Sequence, residues 1–273
     1  MEHAGDMSIT APWMATGQTA FTFRSRRKKP LDLVSVCVTN FNYGDYITDA
    51  LDAIAAQTHA PLDLIVVDDH SDRDDSVALI TAWMEENHQR FWRCTLIVHT
   101  RNQGPSAARN TAFRHAMGAF VFVMDADNTI YPRAIARLHE AARDGGFDAT
   151  YCQLEYFDRE QRIGSADIWD PAQMTRENYV DVMALIRRQA WADVDGYSHI
   201  DQGWEDYDFW LKFIDHGFEA GYVPEILCRY RMHGNSRTTN DAWAAHESLR
   251  GIMAFRHPEL TARYLLATPD VKA

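Results

Sequence analysis

Four times within the first 140 or so residues, a continuous apolar run of strand length gives way to a segment with helical spacing. The runs are "LDLVSVCVTNFN", "LDLIVVDDHSD", "CTLIVHT" and "AFVFVMDADN". A strand with one wet face alternates apolar and polar residues, whereas an uninterrupted apolar strand must be covered on both sides. The segments between the runs supply that cover. "YITDALDAIAAQ" places Ile47, Leu51, Ile54 and Ala55 on one helical face. "SVALITAWMEENH" repeats the pattern, "GPSAARNTAFRHAM" opens on Gly104 and Pro105, and "YPRAIARLHEAARDG" has Pro132 near its first turn and Gly145 past its end. Strict alternation of this kind predicts an α/β fold with a mostly parallel central sheet and helices on both faces.

After Gly146 the alternation loosens. "FDATYCQLEYFD" reads as a strand, "NYVDVMALIRRQAWADVDGY" as a short strand and a helix, "GWEDYDFWLKFIDHG" as a helix, and "EAGYVPEILCRYRMHGNS" as a last strand with a polar exit. The organisation expected is a flexible extension over residues 1–31 and one domain over 32–235. That domain would be built from two abutting halves, 32–145 and 146–235, with a helical extension over 236–273. The formal charge of −12 argues against a nucleic-acid partner, whose footprint is a basic face. Four cysteines, Cys37, Cys94, Cys152 and Cys228, are too far apart for paired spacing and read as reduced, buried thiols. No apolar run approaches the roughly 20 residues that span a bilayer. The first 30 residues lack a signal-type apolar stretch, so a cytoplasmic protein is expected. The basic cluster at residues 24–29 is a solvated linker, or a weak contact with anionic headgroups at the inner face of a membrane.

Open parallel sheets bind ligands beyond the carboxyl ends of their strands. Those ends carry Thr39 to Asn42, Asp68 to Ser71 and Asp125 to Asn128, so three strands deliver polar groups to one rim. Asp125 and Asp127 raise each other's pKa and stabilise nothing unaided, so either solvent screens them or a cation belongs beside them. A phospho-receiver would need a lysine at a later strand end, but the lysines are Lys28, Lys29, Lys212 and Lys272. The same scarcity removes a P-loop, and no G-x-G-x-x-G marks a dinucleotide fold.

With "VSVCVTNFN", "IVVDDHSD", "NQGPSAARNTA", "VMDADN" and "GWEDYDFWLKF" in this order, the chain resembles the family 2 glycosyltransferases of the GT-A fold over residues 32–235. The resemblance implies a Rossmann-like sheet, a nucleotide-sugar donor and a glycan or lipid-linked acceptor. Thr39 and Phe41 match positions lining the base, and Asp69 matches the acid that accepts the N3–H of uracil, so a UDP- or dTDP-sugar is expected. Arg109 would lie near the pyrophosphate or the donor sugar. Asp127 would bind Mn²⁺ or Mg²⁺ directly, Asp125 is a second metal-site candidate that would hold the ribose or a metal-bound water, and His233 matches a further metal-ligand position. Asp206 is the expected general base, with Glu205 as the fallback, and Trp204 would stack on an acceptor sugar. Single-step displacement by such a base inverts the anomeric configuration. Two other readings stay open: a nucleotide-sugar-binding or scaffold protein without turnover, and a nucleotidyltransferase using the same paired acids.

Overall fold

A computed structural model of the chain describes residues 17–200, 203–234 and 246–265. The first section runs β1 (Gly17–Arg24), β2 (Val34–Asn40), α1 (Gly44–Ala55), β3 (Leu62–Asp68), α2 (Ser76–Asn87), β4 (Arg93–His99), α3 (Pro105–His115) and β5 (Phe120–Asp125). It continues through β6 (Thr129–Ile130), α4 (Ala134–Gly145), β7 (Ala149–Asp158), β8 (Arg162–Ile163), α5 (Pro171–Met174), β9 (Ala184–Arg187) and α6 (Arg188–Asp193). The last section holds α7 (Glu205–Asp215), β10 (Ala220–Met232), α8 (His246–Arg256) and α9 (Pro258–Leu260).

The strands form one sheet in the order β1-β4-β3-β2-β5-β9-β7-β10-β6, with β8 paired to β7. Its centre, β4-β3-β2-β5, is parallel, as the continuous apolar runs require. β9 runs antiparallel between β5 and β7, and β7 pairs parallel with β10. Side chains alternate across each strand. Val34, Val36 and Val38 therefore enter one core with Ile47, Leu51 and Ile54 of α1 and Leu138 of α4, while Cys37 enters the opposite core with Ala108, Ala112 and Phe113 of α3. All four cysteines are free and buried. Gly118, just before β5, is required by close approach: a Cβ there would lie 2.6 Å from the Leu33 carbonyl oxygen and 2.7 Å from the Ser35 nitrogen.

Two expectations about the chain ends change. Gly17–Arg24 is not a flexible extension but an edge strand, paired antiparallel with β4 from Gly17↔His99 to Arg24↔Arg93. Its side chains are largely exposed, so it carries no apolar period to be read from sequence. Residues 1–16 lie outside the described residues. At the other end, the boundary drawn at residue 235 separates segments that pack together. Leu249, Met253 and Leu260 belong to the same core as Phe209, Trp210 and Phe213 of α7. No helix among the described residues is long and apolar enough to cross a membrane.

A buried ionic knot fastens α8 to α7. Asp208 is fully buried and accepts from Arg256 Nε at 2.5 Å, while His257 Nε2 lies 3.1 Å from the same Oδ1. Arg256 also donates to Ser198 Oγ at 2.7 Å, and His257 Nδ1 lies 2.7 Å from Asp215. Burial would raise the Asp208 carboxyl, but the His257 hydrogen bond and the Lys212 and Arg256 charges hold it well below the usual range. Removing one partner from such a pair leaves uncompensated charge in a poorly solvated place. Asp208→Ala is expected to cost about 3–5 kcal/mol in urea unfolding at pH 7, whereas a loss below about 1 kcal/mol would mean that solvent screens the knot.

Candidate active site

The carboxyl ends of β2, β3 and β5 open into one cavity of about 1290 Å³. Thr39, Phe41, Asp69, Arg109, Asp125, Asp127, Trp204, Glu205 and Asp206 all line it. Of the residues singled out from sequence, only His233 stands behind the wall, in contact with Asp127. Acids contributed by β3, by the turn after β5 and by α7 thus face a common space.

Asp68 and Asp69, the acids that end the second apolar run, divide their work. Asp68 is fully buried and closes its own turn, accepting from Ser71 N–H at 2.8 Å, Ser71 Oγ at 2.6 Å and Asn40 Nδ2 at 2.7 Å. Asp69 reaches across to the loop before α3. Its oxygens accept from the N–H of Gln103 at 3.0 Å and of Gly104 at 2.7 Å, and His99 Nδ1 lies 2.6 Å away. Gly104 adopts φ 84°, a left-handed conformation in which glycine avoids the Cβ penalty. Asp69 therefore builds the rim, and a uracil N3–H reaching it would displace part of this set.

Arg109 is almost entirely buried on α3, with its guanidinium held between two carboxylates. One amino group donates to both oxygens of Asp125 at 3.0 Å, and the other donates to Glu205 Oε1 at 2.8 Å. Thr39 Oγ1 donates to Asp125 at 2.5 Å. Burial would lower the Arg109 pKa, but the Asp125 and Glu205 charges override it and hold the group well above its ordinary value. This arrangement revises two expectations. Asp125 is engaged by Arg109 and Thr39, which argues against it as a metal ligand. Glu205 is tied to the same cation, which argues against it as a free base.

Asp127 is the carboxylate left with an open oxygen. It is 7% exposed, its Oδ2 lies 2.9 Å from His233 Nε2, and its Oδ1 is buried without a hydrogen-bond partner. Tyr43 and Tyr46 wall His233, with ring centroids 5.6 and 5.2 Å away. Burial and then the Asp125 charge raise the Asp127 carboxyl, against the opposing pull of His233. A hard divalent cation at Oδ1 would satisfy the orphan oxygen and reverse that shift. Among the described residues no three His, Cys, Asp or Glu side chains converge as a complete ligand set. The fit is therefore to an ion that Asp127 Oδ1 would hold, with oxygens from a ligand completing its shell, while His233 holds the other carboxylate oxygen from behind the wall.

The start of α7 is strained. Gly203 has φ 110° and Trp204, the residue capping the helix, has φ 63°. Bulky side chains avoid that region, and the conformation places Glu205 and Asp206 in the first turn facing the cavity. Asp206 accepts from Asn178 Nδ2 at 3.0 Å. Burial and then the Glu205 charge push its carboxyl up to about 6, against the pull of Arg109.

Sequence reasoning missed three contributors. Asp181 lines the cavity from the segment before β9; its signal is an acid inside the apolar run Val180–Met183. Asn178 positions Asp206 from the same segment. Arg250, Met253, Ala254 and His257, from α8 and the residue after it, form a wall of the cavity, and no motif in the sequence marks them.

Comparison with known proteins agrees with this architecture. The family model described as Glycosyl transferase family 2 matches residues 35–192, more than half of the chain. An uncharacterized glycosyltransferase of Escherichia coli (strain K12), YibD, is 25% identical over 225 residues, which cover 74% of this chain and 62% of that protein. The chain spans 42% of the similar Nostoc glycosyltransferase alr2836, to which it is 33% identical over 139 residues, half of this chain. Among solved structures, S. aureus TarS 1-349 in complex with UDP-GlcNAc superimposes with a TM-score of 0.66 at 16% identity, over 86% of this chain and 73% of that one. At these identities a likeness to solved structures establishes the fold alone.

The Arg109 clamp has a measurable signature. Arg109→Met leaves Asp125 and Glu205 facing each other without their cation, at an expected cost of about 3–5 kcal/mol at pH 7. A loss below about 1 kcal/mol, measured by urea unfolding, would show that solvent screens the two acids without the clamp.

Proposed function

The chain belongs to glycosyl transferase family 2, and on that premise we propose that it moves a sugar from a UDP-sugar, or a dTDP-sugar, to a hydroxyl of a glycan or lipid-linked acceptor, with inversion at the anomeric carbon. The observation that carries the reading is the convergence of Asp69, Asp127 and Asp206 on one cavity, with Asp127 Oδ1 buried and bare. In this reading the base stacks beside Phe41 in the pocket that Asp69 and the Gln103–Gly104 loop build, and Thr39 and Asp125 border the ribose. Asp127, with His233 bonded behind it, would hold Mn²⁺ or Mg²⁺, which would supply Lewis-acid stabilisation of charge on the departing diphosphate. The TarS structure is a complex with UDP-GlcNAc, and a structural neighbour from Pyrobaculum calidifontis, a mannosyltransferase at 22% identity and a TM-score of 0.62, is a complex with GDP-Man and Mn²⁺. Both lend support to a nucleotide sugar at such a site, and the second to a divalent ion.

Asp206 takes the proton of the acceptor hydroxyl. Its neighbour Glu205 is fixed on Arg109, while Asp206 is held by Asn178 and reaches the cavity. A carboxyl raised toward neutrality is a stronger base in its ionised form and is still ionised above its pKa. Trp204 offers an aromatic face beside it, and the α8 wall closes the acceptor side. The basic residues 24–29 are exposed and would suit anionic headgroups near a lipid-linked acceptor.

Three outcomes test the reading. Thermal denaturation with UDP, dTDP and GDP, with and without Mn²⁺, should show the largest stabilisation for UDP or dTDP with the metal. Asp127→Ala should abolish the metal-dependent part, and an equal UDP shift in wild type and variant would sink the metal assignment. Turnover should rise with pH through about 6, since Asp206 is protonated and inactive below that value and ionised above it. Asp206→Asn should lose turnover at every pH, and retention of the donor's anomeric configuration in the product would exclude single displacement.

A further inference from the structure

Several cavity acids have no place in the proposed chemistry, Asp181 among them. Asp181 sits in the segment before β9 and lines the cavity together with Asp125, Arg109 and Asp206. Its Oδ1 accepts from the Met183 N–H at 2.8 Å, which fixes the side chain. Among the described residues, no other hydrogen bond reaches its carboxylate and no cation pairs with it. Asp206, Asp125 and Arg109 are all close enough for their charges to act on it. Asp181 is half-buried and lines the cavity, so a ligand lying there can reach its carboxylate.

We infer that Asp181 is a specificity-determining residue that accepts hydrogen bonds from hydroxyl groups of the transferred sugar. The inference rests on the glycosyltransferase reading and follows from position. In that reading Asp125 borders the ribose end of the donor and Asp206 meets the acceptor hydroxyl. The sugar that passes between them must lie in the cavity that Asp181 lines together with both. A carboxylate is acceptor-only when ionised, so hydroxyl groups are its natural ligands and phosphate oxygens are not. Burial, with the Asp206 and Asp125 charges adding to it, pushes the Asp181 carboxyl up to about 7.

The test measures binding by calorimetry, with Mn²⁺ present, for UDP and for UDP-glucose, UDP-galactose, UDP-N-acetylglucosamine, UDP-N-acetylgalactosamine and UDP-glucuronate. Wild type should prefer one sugar. Asp181→Ala should flatten that preference tenfold or more, with UDP affinity held within about twofold, the pattern expected when a polar group that reads a hydroxyl is lost. Asp181→Asn can still accept from Met183 and guards against a folding defect; it should fall between the two. UDP and all five sugars weakening together would show a structural role and overturn the inference. An unchanged sugar preference with a raised acceptor KM would overturn it too, by placing Asp181 on the acceptor. A wild type that binds no nucleoside diphosphate would instead overturn the reading on which the inference stands.

Discussion

The site depends on a guanidinium enclosed by protein. Arg109 bridges Asp125, at the end of a parallel strand, and Glu205, at the start of a helix from the later half of the chain. Without a cation there, burial would force at least one of the two acids toward protonation. With it, both stay charged and fixed, and the two halves of the cavity wall are locked in register. The clamp also determines which carboxylates remain available. Asp125 and Glu205 are occupied, leaving Asp127 with a bare oxygen and Asp206 with a side-chain amide as its partner.

The layered sheet is what brings these groups together. Parallel strands covered on both faces send all their carboxyl ends the same way, so polar residues there share one rim without any sequence proximity. β9 then enters antiparallel beside β5, which places the segment carrying Asn178 and Asp181 next to the rim. Beneath the strands, at their opposite ends, a second buried anchor mirrors the site: Asp63 is fully buried and accepts from Ser35 Oγ at 2.6 Å and from Arg93 Nε at 2.6 Å. One ionic group at each end of the same strands holds the layer rigid, and a rigid layer positions side chains better than loops do.

The C-terminal helices are part of this device. The Asp208 knot ties α8 and the following histidine to α7, so the helix that carries Asp206 also carries the wall that faces it. Trp204 supplies strain at the hinge between the glycine turn and that helix. Strain of about 1–3 kcal/mol persists only where the surroundings over-determine it, and here the Arg109 clamp and the buried ionic knot lie on either side.

How much of this was legible follows from range. The alternation of apolar strands and amphipathic helices, the polar rim and the candidate acids rest on residues near one another in the chain, where period and composition report burial directly. The "GWEDYDFWLKF" block marked the right turn of helix, but whether Asp206 or Glu205 is free depends on Arg109, 96 residues earlier. The role of the paired aspartates after β3 was less legible. Asp69 reads from sequence as a ligand group, and only the fold shows that its oxygens also hold the Gln103–Gly104 loop. β1 was illegible because an exposed edge strand carries no apolar pattern, and the α8 wall because its contribution is a matter of packing. Sequence by itself determined the layers and the rim, since burial on two faces leaves a periodic trace in the chain. Tertiary structure alone decided which carboxylates are paired and which are open, because a charge is neutralised by whatever stands within a few ångströms of it, however far away in sequence that partner lies.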